Sequence, residues 1–445
     1  ERINGKDGFM KLKYFGTDGV RGQALKSPLT LEETARWGQA WAEVACLRGA
    51  EEMVIGWDPR TSSEPLAEAF VRGLGSRLRL CVLGLVPTPA VAWITQGRPK
   101  AWGLMISASH NPPEDNGIKG FDGRGEKLPE ADEAAIEKAF EALQVVPQGA
   151  GALAVTTEPM SAYLAHLAGL DLPGGFKLVM DCAHGATAPW APGLLRGPGV
   201  ECLGIPADGK RINVGVGSTH LEALQRRVLE TRADVGIAFD GDGDRCLFVD
   251  CRGEVVDGDQ LLWLLAQALH ETHAPLPGVV GTLMSNGGLA QALQGLGIPF
   301  VRTQVGDKFM LRELGRRGWD LAAEASGHLI QKHLGPSGDG LATAIACLQA
   351  LLRRSPAERW TWKFAPWPLR LVNLTARARR PVEACRALRQ VMTELESSHG
   401  DALRVVVRWS GTEPKLRLMV EARDQGAMQD AIQRLEGAAR SDLGL

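Results

Sequence analysis

The sequence predicts an α/β protein: three similar α/β domains in tandem, then a smaller C-terminal α+β domain. Three observations predict it. A unit of strand, polar loop, helix and strand occurs three times. An acidic run, Asp240-Gly241-Asp242-Gly243-Asp244-Arg245, is wedged between two apolar stretches, which puts charge at a strand end. Beyond Pro366-Trp367-Pro368 the pattern changes to strands joined by a short turn.

The first unit opens on the apolar strand Met53-Val54-Ile55-Gly56-Trp57-Asp58. A polar turn, Pro59-Arg60-Thr61-Ser62, leads into a helix over 64–78 and a strand over 80–86. The second runs from Lys177-Leu178-Val179-Met180-Asp181 through Ala183-His184-Gly185-Ala186 to a helix and a strand near 200–205. The third runs from Val279-Val280-Gly281-Thr282-Leu283-Met284 through Ser285-Asn286-Gly287-Gly288 to a helix and the strand 300–302. The repetition is one of pattern, not of close identity. After the Pro366 linker come a strand (369–375), a helix (382–396), a hairpin (403–409 and 415–422) and a last helix (425–439). The expected boundaries are 10–150, 151–253, 254–365 and 366–445.

Length and composition agree with this division. At 445 residues the chain is too long for one core, and about three or four domains are expected. Its 44% hydrophobic and 23% charged residues are ordinary for a globular enzyme. A net charge of −2 gives no basic footprint for nucleic acid. No apolar run approaches a membrane span. The eight cysteines are scattered, with no C-x-x-C pair, so reduced thiols and a cytoplasmic setting are expected. The start, 1–9, is polar; Met10 reads as the natural initiator and 1–9 as an extension.

The acidic run carries the strongest chemical signal. In an extended segment, residues i, i+2 and i+4 share a face, so Asp240, Asp242 and Asp244 are expected to converge. Three like charges that close require a cation. All-oxygen ligands suit a hard ion such as Mg²⁺. A calcium loop of the EF-hand type would need Gly and Glu where Arg245 and Cys251 stand.

Other motifs are weaker alone. In Ser107-Ala108-Ser109-His110-Asn111-Pro112, the Ser109 hydroxyl follows a strand that begins at Trp102. It reads either as a nucleophile or as a capping turn before Pro112. Asp115-Asn116-Gly117-Ile118-Lys119 reads as a turn that delivers Lys119, a surface residue or a proton-transfer group. Arg408, Ser410, Gly411, Thr412 and Arg417 assemble hydroxyls, a glycine turn and arginines, which suit a phosphate. Glu324, Ser326 and His328 lie between two strand-like segments, where small polar groups can bind sugar hydroxyls. Phe15 to Gly22 is a glycine-rich loop that carries Arg21.

Together, from about residue 11 to the C-terminus, these blocks resemble the α-D-phosphohexomutase family in order and spacing. Within it they are most similar to the bacterial branch that handles glucosamine phosphates. Asp181-Cys182-Ala183-His184-Gly185-Ala186-Thr187, Gly217-Ser218-Thr219-His220 and Ser410-Gly411-Thr412-Glu413-Pro414 carry that likeness. Two departures lie in the third domain: Ala323 and Ala325 around Glu324, and Lys308 after Gly306-Asp307.

The resemblance implies four domains around a central cleft and an intramolecular phosphotransferase. It implies that Ser109 carries a phosphoryl group and passes it to a sugar monophosphate, forming a bisphosphate that returns its other phosphate to Ser109. One Mg²⁺ would sit on Asp240, Asp242, Asp244 and the Ser109 phosphoryl. Arg21 and Arg245 would stabilise the transferring group, and Lys119 with His110 would move protons. Glu324, Ser326 and His328 would hold the sugar, and Arg408, Ser410, Gly411, Thr412 and Arg417 the idle phosphate. A hexosamine bisphosphate or a kinase-derived phosphoryl group would activate the enzyme. The fourth domain would act as a lid, and a homodimer fits the pattern. Rival readings are a glucose or mannose phosphate mutase, a phosphatase using Asp240 and Asp242, and a non-catalytic phosphosugar binder. The last two fit less well: the aspartates lie mid-chain, and Ser109 and all three acids are present.

Overall fold

The computed structural model describes residues 12–16, 18–143, 153–168, 172, 174–272, 276–410 and 414–445. Residues 1–9, Gly411 and Thr412 lie outside the described residues.

Three mixed sheets share one plan. In the first, the central strand Glu52–Trp57 pairs in parallel with Arg79–Leu85 and Ala101–Ile106. The antiparallel Asp115–Phe121 then extends the sheet toward Gly19–Gln23 and Phe15–Gly16. In the second, Leu178–Asp181 lies parallel to Val200–Leu203 and Val235–Phe239, and Cys246–Asp250 is antiparallel. In the third, Val279–Thr282 lies parallel to Phe300–Thr303 and Leu321–Ala323, and Leu329–Gln331 is antiparallel. In each sheet, the link from the last parallel strand to its antiparallel neighbour holds one of the motifs singled out above: Ser109, Asp240–Asp244, and Glu324–His328.

The strands form where the sequence supplies continuous apolar runs, as buried parallel strands require. Val235–Phe239 and Cys246–Asp250 are buried at every position. Local signals start the helices. Thr30 and Glu33 form a reciprocal capping box on Leu31–Leu47, and Asp339 caps Gly340–Leu352 through the Ala342 amide. The helix expected over 64–78 is Ser63–Leu74, stopped at Gly75. The expected 382–396 helix is a 3₁₀ turn, Val382–Ala384, followed by Arg386–His399.

One apolar core runs through all three large domains, from Val54 and Leu83 through Leu178 and Phe239 to Val279 and Leu329. A second core, on the other face of the first sheet, stacks Trp37 on Phe140 at 3.6 Å. The last domain is a three-stranded antiparallel sheet with Lys415–Ala422 in the middle. Its strands begin and end where the sequence places them, and its core of Leu388, Leu418 and Leu435 is its own. The linker is pinned to the third domain. Trp367 donates its amide to Asn286 Oδ1 at 2.8 Å, and Asn286 Nδ2 donates back to the Trp367 carbonyl at 3.1 Å. Arg404 adds bonds to the carbonyls of Leu283 and Ser285.

Candidate active site

Asp240, Asp242 and Asp244 do converge, with ligand oxygens within 4.8 Å of one another, and all three are buried. The route differs from the expected extended strand: the segment is a turn between Val235–Phe239 and Cys246–Asp250. The two glycines make it possible. Gly243 has φ +74, and a Cβ at Gly241 would lie 2.5 Å from the Ser109 carbonyl.

Burial, with Asp244 and Asp242 alongside, pushes the Asp240 carboxyl well above the usual range. Burial also pushes Asp244 up, but Lys119, His328 and Arg245 outweigh it and hold Asp244 below that range. Neither Asp242 Oδ1 nor Asp244 Oδ1 has a hydrogen-bond partner among the described residues, although both are buried. Buried carboxylate oxygens without a hydrogen bond in a hard-oxygen cluster are what a Mg²⁺ ion would satisfy, so these residues fit it.

Ser109 lies against this cluster. Its Oγ donates to Asp240 Oδ2 at 2.6 Å, and His110 Nδ1 is 3.3 Å away. Its backbone is left-handed, φ +54, which costs a non-glycine residue about 1–2 kcal/mol. A buried scaffold holds it there. Arg60 donates to the carbonyls of Ser109 (2.9 Å), Asn111 (2.8 Å), Asp115 (3.0 Å) and Pro112. Asn213, from the second domain, donates to the Ser109 and Asn111 carbonyls. Asp58 accepts from Arg60 Nε at 2.9 Å and from the Ser63 and Ser107 hydroxyls at 2.7 Å. The Ser107 hydroxyl in turn accepts from the Ser109 amide. Asp58, Arg60 and Asn213 were not singled out from the sequence. The one signal was a charged pair closing an apolar strand; Asn213 gave none.

Lys119 is buried on a strand, Asp115–Phe121, and not on the expected turn. The Asn116-Gly117 pair that suggested a turn is paired with Arg21 and Gly22. The Lys119 ammonium is 2.7 Å from Asp242, 3.0 Å from Asp18 and 3.7 Å from Asp244. Burial lowers its basicity, but these carboxylates more than reverse that, so it stays protonated. His110 is the opposite: burial, then Arg245 and Arg21, bring it down to about 4. Thr88 also donates to Asp242 Oδ2, at 2.6 Å. Arg21 pairs with Asp18, and Arg245 Nε is 3.8 Å from Asp244.

The third domain brings Glu324, which accepts from the Gly306 amide at 2.8 Å and from the Ser326 hydroxyl at 3.3 Å. His328 Nδ1 is 3.7 Å from Asp244 Oδ1. Lys308 turns instead toward Glu130 (3.5 Å) and Glu133 (3.7 Å) of the first domain. Arg408, Ser410 and Arg417 group in the fourth domain, where Arg417 Nη2 donates to Ser410 Oγ at 3.3 Å. Arg408 and Arg417 line a cavity of about 220 Å³ with Met284 and Asn373. Burial and the like charge of Arg417 lower the Arg408 pKa.

Comparison with known proteins covers most of the chain. Family models for phosphoglucomutase/phosphomannomutase match in four pieces: α/β/α domain I over 12–145, domain II over 161–253, domain III over 257–362, and the C-terminal domain over 371–437. A phosphoglucosamine mutase of Aeromonas hydrophila is 39% identical over 436 residues, covering 96% of this chain and 98% of that protein. One from Xylella fastidiosa is 43% identical over 448 residues, with 96% and 98% covered. Among solved structures, a phosphoglucomutase/phosphomannomutase family protein from Burkholderia thailandensis shares the fold at TM-score 0.79 and 23% identity, with 96% and 97% covered. An open form of a Paramecium phosphoglucomutase does so at 0.74 and 17%, with 97% and 95% covered. Four domain matches in order, and two relatives near 40% identity over nearly their whole length, lead to one conclusion: the chain belongs to the phosphoglucomutase/phosphomannomutase family of α-D-phosphohexomutases.

Proposed function

We propose that this protein interconverts glucosamine 6-phosphate and glucosamine 1-phosphate, through a phosphoserine on Ser109 and a bisphosphate intermediate. The observation that carries the reading is the Ser109 hydroxyl, 2.6 Å from Asp240 in a carboxylate cluster that fits Mg²⁺. The relatives named phosphoglucosamine mutase favour the amino sugar.

Phosphorylated Ser109 offers its phosphoryl group to the sugar hydroxyl. The new P–O bond forms on the sugar as the bond to Ser109 Oγ breaks, and the hydroxyl proton leaves to a base. Lys119 holds a proton and His110 does not, so the pair divides into donor and acceptor. Arg21 and Arg245 face the charge on the equatorial oxygens. Mg²⁺, when bound by Asp240, Asp242 and Asp244, supplies positive charge beside the phosphoryl oxygens. The bisphosphate then reverses its orientation and returns its other phosphoryl to Ser109. Glu324, Ser326 and His328 hold the ring, and Arg408, Ser410 and Arg417 hold the idle phosphate in both orientations. The fourth domain, with its own core and a proline-flanked linker, is the lid that excludes water. Eight free cysteines suit a cytoplasmic setting.

Because each isomer docks its idle phosphate in the same cradle, Arg408→Ala should weaken both alike. A lost charge-assisted contact of about 1.5–3 kcal/mol predicts a rise in KM of roughly ten- to a hundredfold. Steady-state kinetics with the 1-phosphate and the 6-phosphate check it; an effect confined to one isomer would break the shared-cradle idea.

The sugar preference is tested by kcat/KM for glucosamine, glucose and mannose phosphates on one preparation. Glucosamine phosphate should lead. The Ala325 and Lys308 departures favour a narrow margin, since a tenfold preference is only about 1.4 kcal/mol. A lead for mannose or glucose phosphate would overturn the choice of sugar and leave the phosphoserine route standing. Intact-mass measurement after incubation with a hexose bisphosphate checks that route: the protein should gain one phosphoryl group on Ser109.

A further inference from the structure

Three charged residues of the cleft have no task in the mechanism above: Asp18, Lys127 and Asp307. They come from separate places. Asp18 precedes Arg21, Lys127 lies just before the helix Glu130–Ala142, and Asp307 opens the helix Asp307–Arg317 of the third domain. The Lys127 ammonium contacts Asp18 Oδ1 and lies 2.5 Å from Asp307 Oδ2, with its side chain only 13% exposed.

These contacts continue in both directions. Asp18 Oδ2 is 3.0 Å from Lys119, which is 2.7 Å from Asp242. On the other side, Asp307 Oδ2 is 3.8 Å from His328 Nε2, and His328 Nδ1 is 3.7 Å from Asp244. The chain of groups therefore reads Asp242, Lys119, Asp18, Lys127, Asp307, His328, Asp244. Carboxylates alternate with basic groups, and both ends lie in the metal cluster. The circuit enters all three large domains. It also passes beside the sugar loop, because the residue before Asp307 donates its amide to Glu324. Exposed ion pairs contribute little, but a buried charge stripped of its partner perturbs its neighbours strongly.

We propose that Lys127 is a positioning residue. It ties the sugar loop of the third domain to Lys119 and the metal loop, through Asp307 on one side and Asp18 on the other. It touches no reacting atom, and its role rests on the reading of this cleft as a phosphohexomutase site.

The test uses the full chain with Mg²⁺, as wild type, Lys127→Met, Lys127→Arg, Asp307→Asn, and the double variant Lys127→Met with Asp307→Asn. Lys127→Met should lower kcat by on the order of ten- to a hundredfold, the scale of a misplaced reacting group, with KM within about twofold. Lys127→Arg should restore most of the rate. The double variant should be no slower than the slower single one, since both break the same circuit. An unchanged kcat, a loss carried by KM, additive effects, or no rescue by arginine would each overturn the proposal. If Lys127→Met does not fold, Asp307→Asn carries the same kinetic expectations. If wild type turns over none of the three hexose phosphates, the functional reading fails by itself. The circuit is then judged by amide hydrogen exchange at 306–308, which Lys127→Met should accelerate and which, if unchanged, would overturn it.

Discussion

Ser109→Ala is expected to abolish turnover, by on the order of 10⁴-fold or more, with the protein still folded. The Ser109 hydroxyl sits against the carboxylate cluster, and the proposed mechanism makes it the phosphoryl carrier. Its removal deletes two side-chain hydrogen bonds, to Asp240 and to His110 Nδ1, each worth roughly 0.5–1.5 kcal/mol. The Arg60 and Asn213 contacts go to the backbone of the loop, so they survive the substitution. Melting temperature should therefore move little while kcat collapses, and intact mass should register no phosphoryl uptake from a hexose bisphosphate. Substantial bisphosphate-dependent turnover in the variant would remove Ser109 as the carrier.

Asp242→Asn should cut both Mg²⁺ affinity and kcat, each by at least about tenfold to a hundredfold, while sparing the metal-free fold. Asp242 and Asp244 press on Asp240, so removing one charge relieves repulsion in the metal-free protein. Lys119 loses one partner but keeps Asp18 and Asp244. The expected signature is a pair of melting curves. Wild type should gain stability on addition of Mg²⁺, about 2.7 kcal/mol at a hundred times Kd, and the variant should gain far less. Unchanged metal affinity in a titration would count against this ligand set.

The sequence made much of this site legible, for a definite reason. Buried parallel strands are written as apolar runs, so polar residues at their ends stand out. That is how the Ser109, Asp240 and Glu324 loops declare themselves. The exact run of the fourth-domain strands is legible too, because a hairpin between two apolar stretches leaves little choice of register. Two local readings fail on backbone detail. A period of two assumes an extended chain, but Gly243 lets the acidic run turn. Asn116-Gly117 has the composition of a turn, yet the neighbouring strand Gly19–Gln23 claims it. What could not be read at all is pairing over distance. Asp58 reads as a strand end and Arg60 as part of a turn, and nothing near Lys127 or Asn213 announces a partner. Their roles exist only once Pro112, Asp307 and Ser109 have been brought to them by the packing of sheets.

Each large sheet contributes its functional loop from an equivalent connection, so no domain owns the chemistry. In the proposed mechanism, the carrier, the chelating acids and the sugar grip are three fingers of three separate hands. Their alignment is fixed by how the palms are pressed together, through seams such as the Tyr163 hydroxyl on Asp339 at 2.7 Å. A slight tilt of one sheet would leave every finger intact and still spoil the grasp. Substitutions buried far from the cleft thus have a direct route to reaction rate that does not pass through unfolding.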